Sequence, residues 1–233
     1  MSGRIGVIER RTLLLGAVAS GLAGARPAVG MGSLPPGLAM LPVPPSRALG
    51  FRMMRHGSAI GTHTLEFDVS EDRLAVRIAA DAKVSFGPIP LVRYTHRNTE
   101  VWQDGRLASL DAHTDRNGTK LFMSAHRTPA GLYVEGSGTK PYIAPEDALP
   151  TTYWNMRILF VPLIGVQNGT LGTPTVTEMP IEKVRLASGA ETPARGYHLT
   201  GDINVDLWYD AAGSWMSMRF TVGDGSVITY ERL

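Results

Sequence analysis

The strict alternation in residues 73–86, "RLAVRIAADAKVSF", constrains the fold of this chain most strongly. Leu74, Val76 and Ile78 begin an apolar series that continues on every second residue to Phe86, while polar or small residues occupy the positions between. Side chains of a β-strand alternate between its two faces, so this period predicts a long strand with one buried face. Shorter alternating runs at 51–55 and 60–69 precede it.

Glycine-containing turns separate the runs that follow. Asp104-Gly105 and Asn117-Gly118 are typical of two-residue hairpin loops, whose central residues both need positive φ. Residues 203–233 add three further strands, joined at Ala212-Gly213 and Asp224-Gly225. Together these runs and turns predict an antiparallel meander of ten or more strands. A sheet this long must curl or close to protect its edges. We therefore predict an all-β fold, a barrel or a curved spiral half-barrel.

One segment departs from the strand pattern. "TTYWNMRILF", residues 151–160, has the length and composition of a short helix, which we expect to lie across the mouth of the barrel. A buried strand is the alternative for the same residues.

The N-terminus predicts export. Arg10 and Arg11 precede an apolar run, residues 13–25, that is shorter than the ~20 residues of a membrane span and is followed by small residues. This is the pattern of a secretory leader, and the paired arginines resemble the twin-arginine signal. The predicted organisation is a signal peptide (1–28), a Pro/Gly-rich linker (29–48) and a single β domain (49–233), located in the periplasm without a transmembrane span. An uncleaved N-terminal helix or anchor is the alternative.

Composition excludes several classes of function. The chain has no cysteine, which excludes disulfides, thiolate metal sites and a cysteine nucleophile. Residues 1–28 contain four arginines and one glutamate, so the remainder has 19 basic and 20 acidic residues. A nucleic-acid interface needs clustered excess Lys and Arg, so none is predicted.

Three stretches resemble a known family. "YTHRNTEVWQDGRLASLD", "LPTTYWN" and "DLWYDAAGSW", together with the paired arginines of the leader, resemble a family of exported proteobacterial proteins with a domain of unknown function. The resemblance covers the chain from about Leu49 to its C-terminus. It implies an antiparallel barrel-like sheet, akin to envelope lipid-carrier and β-spiral domains, and it implies no catalytic residue.

The stretch from Tyr94 to His126 supplies the candidate site. If both hairpins close with two-residue loops, His96 opposes His113 across the sheet, and one face carries a polar set. That set is His96, Asn98, Glu100, Ser109, Asp111, His113, Ser124 and His126, with Trp102 at its margin. We expect this face to be solvent-exposed, because the opposite face is more apolar. In the alternative it lines a concave cleft, where imidazoles and carboxylates would bind a ligand or a divalent metal. A bulge would change the register.

The remaining candidates are aromatic. Tyr153 and Trp154 either cap a pocket or anchor the core with their polar tips. Ser137, between glycines, lacks the strand–elbow–helix context of a hydrolase nucleophile.

These patterns favour a non-enzymatic envelope protein without a cofactor. It would bind a lipid or other amphipathic molecule, or an envelope partner protein. The candidate ligand-binding residues are His96, Glu100, Trp102, Asp111, His113, Tyr153 and Trp154. The alternative is a periplasmic hydrolase or metal-dependent enzyme that uses the cluster of His96, Glu100, Asp111 and His113.

Overall fold

The computed structural model describes residues 41–86 and 89–233, and almost all of its regular structure is β. The predicted signal peptide and most of the predicted linker lie outside these residues. The strands of the first half are β1 (Ala48–Arg55), β2 (Ser58–Ser70), β3 (Arg73–Phe86), β4 (Ile89–Gln103), β5 (Arg106–Arg116), β6 (Thr119–Thr128), β7 (Gly131–Gly136) and β8 (Thr139–Ala144). Those of the second half are β9 (Leu149–Pro150), β10 (Leu163–Ile164), β11 (Leu171–Gly172), β12 (Thr175–Arg185), β13 (Glu191–Thr200), β14 (Val205–Tyr209), β15 (Trp215–Thr221) and β16 (Val227–Arg232).

Thirteen of the strands form one sheet, in the order β12-β13-β14-β15-β16-β1-β2-β3-β4-β5-β6-β7-β8. Two meanders, β12–β16 and β1–β8, are joined by antiparallel pairing of β16 with β1. The predicted long antiparallel meander is therefore confirmed. In the described part of the chain the sheet remains open, because β8 and β12 are its two edges and do not pair with each other.

Both edge strands contain a proline, Pro141 in β8 and Pro180 in β12. Proline has no N–H to donate to a neighbouring strand, so a proline in an edge strand discourages pairing with a further strand. In β12 the proline lies within an irregularity of register between Glu178 and Ile181. The two open edges are thus poor templates for adding another chain.

The predicted hairpin turns are present. Asp104 and Gly105 have φ values of 49° and 74°, and Asn117 and Gly118 have 54° and 87°. Two successive positive φ values match the right-handed twist of the strands they join.

The register of β5 with β6 is as predicted, but that of β4 with β5 is not. Trp102 pairs with Leu107 as expected, whereas Val101 pairs with Ser109, so Ala108 is an extra residue on β5. This bulge shifts every later pair by one, and a shift of one residue exchanges the two faces of a strand. The predicted opposition of His96 and His113 is wrong, because His96 pairs with Thr114.

The connection from β8 to β12, residues 145–174, packs on the inner face of the large sheet, and we call it the inner segment. It contains the three-stranded sheet β11-β10-β9 and a short 3-10 helix, Met156–Phe160. Asn155 caps this helix, since its Oδ1 accepts from the Arg157 N–H at 3.1 Å. The predicted helix over 151–160 is thus limited to its last turn. Tyr153, just before the cap, has a positive φ of 65°.

The inner segment is anchored to strands from both halves of the sheet. Trp154 contacts Trp102 of β4, while the Tyr209 hydroxyl of β14 donates to the Tyr153 carbonyl at 2.8 Å. The Tyr142 hydroxyl of β8 donates to the Gly169 carbonyl at 2.9 Å. Strands this far apart in the sheet order reach one segment because the sheet curves around it. The inner face is therefore concave, with the main core between it and the segment.

Candidate functional site

The inner face of β4 carries an unusual run of polar side chains. His96, Asn98 and Glu100 are all buried there, and Trp102 continues the same phase of the strand. The opposite phase carries the exposed Arg97. At about 3.3 Å per residue, the polar stripe from His96 to Glu100 is roughly 13 Å long. Apolar side chains normally occupy such positions, so this stripe is the first candidate for a function.

Glu100 is the acidic residue of the stripe, and its side chain has no exposed surface. Its Oε2 accepts hydrogen bonds from the indole N–H of Trp102 at 2.7 Å and of Trp154 at 3.1 Å. Its Oε1 has no hydrogen-bond partner among the residues that the structure describes. Burial raises the pKa of Glu100 to about 7, against the opposing effect of the nearby side chains of Thr152, Trp102, Trp154 and Asn98. Glu100 is therefore a carboxyl group that changes charge near neutral pH.

Aromatic rings enclose the Glu100 end of the stripe. The ring of Trp154 lies 5.5 Å from that of Trp102 and 5.3 Å from that of Phe67, in T-shaped geometry in both cases. Phe67 is placed there by register, because it pairs with Val76 of β3, which pairs in turn with Glu100. The inner segment thus holds a tryptophan directly over the buried carboxyl.

His63 of β2 lies in the same row as His96. Both residues pair with Ala80 of β3, so two strand spacings place their Cα atoms roughly 10 Å apart with a small side chain between them. The His63 ring lies among aromatic rings, 5.5 Å from Trp215 and 5.6 Å from Tyr230. Neither of its nitrogens has a hydrogen-bond partner in residues 41–86 and 89–233.

Both histidines are kept neutral by burial. Desolvation, aided by the neighbouring His96, lowers the pKa of His63 to about 3. Desolvation, aided by Arg97, lowers the pKa of His96 to about 4. The Nδ1 of His96 lies 2.8 Å from the Thr114 hydroxyl, which fixes the orientation of that ring.

Unpartnered polar atoms are concentrated in this region. Seven buried side-chain nitrogen and oxygen atoms lack a hydrogen-bond partner in the part of the chain that the structure describes. Six of them belong to four residues, His63, Asn98, Glu100 and Asn155. Buried polar groups are satisfied in most proteins, and a cluster that is not satisfied marks a site with a role beyond packing.

Comparison with known proteins identifies the family. The family model of a domain of unknown function, DUF6134, matches residues 51–233. The chain belongs to this family. The resemblance predicted from the sequence is confirmed in that respect, since the domain is all-β and its function is unknown. No curated protein matched the chain.

The DUF6134 domain also has a structural neighbour. The crystal structure of a beta-barrel-like protein of the domain of unknown function DUF1849, from Brucella abortus, superposes with a TM-score of 0.55 at 11% identity. The match covers 80% of this chain and 94% of that one. At this identity the likeness shows a shared fold alone.

The predicted polar face is divided between the two sides of the sheet. Asp111, His113 and His126 are exposed on the outer face, as expected. The expectation is wrong for His96, Asn98 and Glu100, which are buried on the inner face. The bulge at Ala108 is the reason, because it places the inward phase of β4 beside the apolar phase of β5.

Asp111 and His113 lie in a shallow outer groove of about 280 Å³. The His113 Nε2 is 3.1 Å from an Asp111 oxygen, and Arg97 in the same groove pairs with Asp81 at 2.9 Å. Exposed pairs of this kind contribute little to stability and are typical of the solvent-exposed face of a sheet.

The proposed cluster of His96, Glu100, Asp111 and His113 is not assembled, because the sheet separates its two halves. Across residues 41–86 and 89–233, no three His, Asp or Glu side chains converge as metal ligands. The enzyme alternative assumed that these four side chains lie together, and in the structure they do not.

The structure adds His63, Asn155 and Thr152 to the candidates. His63 could have been found by extending the inward phase of β2 from Phe67 and Leu65 back by two residues. Nothing in the sequence marks Asn155 or Thr152, whose burial depends on how the inner segment packs. Trp154 is the predicted core anchor with a bonded polar tip, and Tyr153 packs partly buried 5.6 Å from Trp215.

Proposed function

We propose that this domain binds a small amphipathic molecule through the buried polar groups of its concave face. The observation that carries the proposal is the concentration of unpartnered buried polar atoms on His63, Asn98, Glu100 and Asn155. Each such atom costs about 1–3 kcal/mol when it is left without a partner. A ligand that supplied those partners would offset the cost, whereas a purely structural core would be more stable with apolar residues at these positions.

The surroundings of the polar groups favour an amphipathic ligand over a wholly polar one. Phe67, Trp102 and Trp154 flank the Glu100 end of the stripe. Trp215 and Tyr230 lie beside His63 on β2. Small-molecule sites typically combine apolar and aromatic walls with a few placed polar groups. The barrel-like fold supports ligand binding in general, because curved sheets of this kind enclose ligands in many proteins.

Replacing Asn98 by leucine tests the proposal. Leucine has the branched shape of asparagine without its two unpartnered polar atoms, so the free energy of unfolding should rise by about 1 kcal/mol. The affinity for Nile red, an uncharged amphipathic dye, should fall about tenfold or more. Urea unfolding and a fluorescence titration measure the two effects.

The neighbouring outer-face residue provides the matched control. Thr99→Ala should leave both stability and dye affinity close to those of the wild type, since Thr99 is exposed. Loss of stability in Asn98→Leu, with unchanged dye binding, would mean that Asn98 is a structural residue and would contradict the proposal.

We also infer that the domain acts in the periplasm after export by the twin-arginine route. Arg10 and Arg11, followed by the short apolar run, support this inference. Replacing both arginines by lysine should leave the unprocessed chain in the cytoplasm, as measured by fractionation and immunoblotting. Normal periplasmic yield of the variant would contradict it. Within the described residues, no helix is both long enough and apolar enough to span a bilayer.

A further inference from the structure

We infer that the ligand presents an uncharged hydrogen-bonding head group, such as an amide or a polyol, to the polar stripe on the concave face. This inference rests on the proposed function and specifies the chemical class of the ligand. It follows from the charges that the site offers and from the donors and acceptors that it leaves free.

Within the part of the chain that the structure describes, no lysine or arginine is buried beside the stripe to meet an anionic head. Among the described side chains that are buried, the acids are Glu100 and Glu231, and neither lysine nor arginine is present. Glu231 pairs with Arg52, and both lie on the outer face of the sheet. The half-buried guanidinium of Arg232 donates to the Trp215 carbonyl and to the Met216 sulfur. Arg116 pairs with Tyr94 in the same phase of β4, but it is exposed at the end of β5. Within the described residues, an anionic head at the stripe would therefore meet Glu100 and no buried counter-charge.

A cationic head is disfavoured by the same burial that acts on the histidines. Among the described residues, His63 has no hydrogen-bond partner and no carboxylate that acts on it, and its pKa is lowered to about 3. An interior that prevents an imidazole from holding a proton penalises any other buried cation in the same way. Trp102 and Trp154 do not form an open cage for a cation, because their rings are in mutual contact.

The free groups suit a neutral head in number and kind. Asn98 offers an unpartnered amide nitrogen and an unpartnered oxygen, and Asn155 offers a second amide nitrogen. A neutral imidazole such as His63 has one donor and one acceptor. Amides and hydroxyls likewise combine donors with acceptors, so one head group can satisfy several of these atoms without bringing a charge into the core.

Ligands with matched tails and different heads test this inference on the full-length protein. Decanoyl-N-methylglucamide, decanoate and decyltrimethylammonium are titrated below their micelle concentrations against bound Nile red. The uncharged glucamide should displace the dye at a concentration at least tenfold lower than either charged compound. Asn98→Leu should raise that concentration about tenfold, and Thr99→Ala should leave it unchanged.

The outcomes separate the two proposals. If decanoate or decyltrimethylammonium displaces the dye as well as the glucamide does, the uncharged-head inference is wrong while ligand binding stands. If Nile red itself shows no saturable binding, the proposed function fails, and this inference fails with it.

Discussion

Trp154→Ala should lower the free energy of unfolding by about 3–5 kcal/mol, the usual cost of removing a large buried aromatic side chain. Trp154 is 1% exposed, and its ring packs against Phe67 and Trp102. Its truncation also removes one of the two N–H groups that Glu100 Oε2 accepts from. Urea unfolding at pH 7, analysed by linear extrapolation, measures the loss.

The same segment provides a control. Phe160 is also aromatic but is 76% exposed at the end of the 3-10 helix, so Phe160→Ala should change the free energy by less than about 0.5 kcal/mol. Similar losses in the two variants would show that Trp154 does not anchor the inner segment to the sheet.

Much of the sheet could be predicted because its signals are local. The alternation of β3 and the residues of the two hairpin turns depend only on neighbouring positions, and the structure confirms both. The pairing of β16 with β1 joins opposite ends of the domain, so no local pattern could indicate it.

The candidate site was predicted less well because one residue changes its register. Ala108 forms a bulge, and neither glycine nor proline occupies that position to signal it. Beyond the bulge, each residue of β4 pairs with the residue of β5 one place further along than predicted, so residues expected on one face of the sheet lie on opposite faces. The charges of β4 were a usable signal. An arginine cannot shed its charge on burial, whereas a histidine or a carboxyl group can become neutral. The phase of Arg97 was therefore the one to place outward, and that of His96, Asn98 and Glu100 inward.

The last prediction concerns acid lability, which should be governed by His63, His96 and Glu100. Each histidine has a folded-state pKa below its unfolded value of 6.5, so the unfolded state takes up protons first and stability falls as the pH drops below 6.5. Glu100 has a raised folded-state pKa of about 7, so its burial is unfavourable above pH 4.5 and this cost is relieved as the pH falls from 7. The two kinds of group therefore act in opposite directions.

As the pH falls from 7 to 4, each histidine should lower the free energy of unfolding by about 3 kcal/mol, at ~1.4 kcal/mol per pKa unit. Over the same range Glu100 should raise it by about 3 kcal/mol. From these three groups the wild type should lose about 3 kcal/mol, Glu100→Gln about 6 kcal/mol and His63→Phe almost nothing. Urea unfolding at several pH values measures the slopes, with His113→Ala as the exposed control that should follow the wild type. Parallel slopes in all four proteins would mean that these groups are not titrating from the buried positions described. If they do titrate there, the loss of stability on acidification is largest in Glu100→Gln, intermediate in the wild type and smallest in His63→Phe.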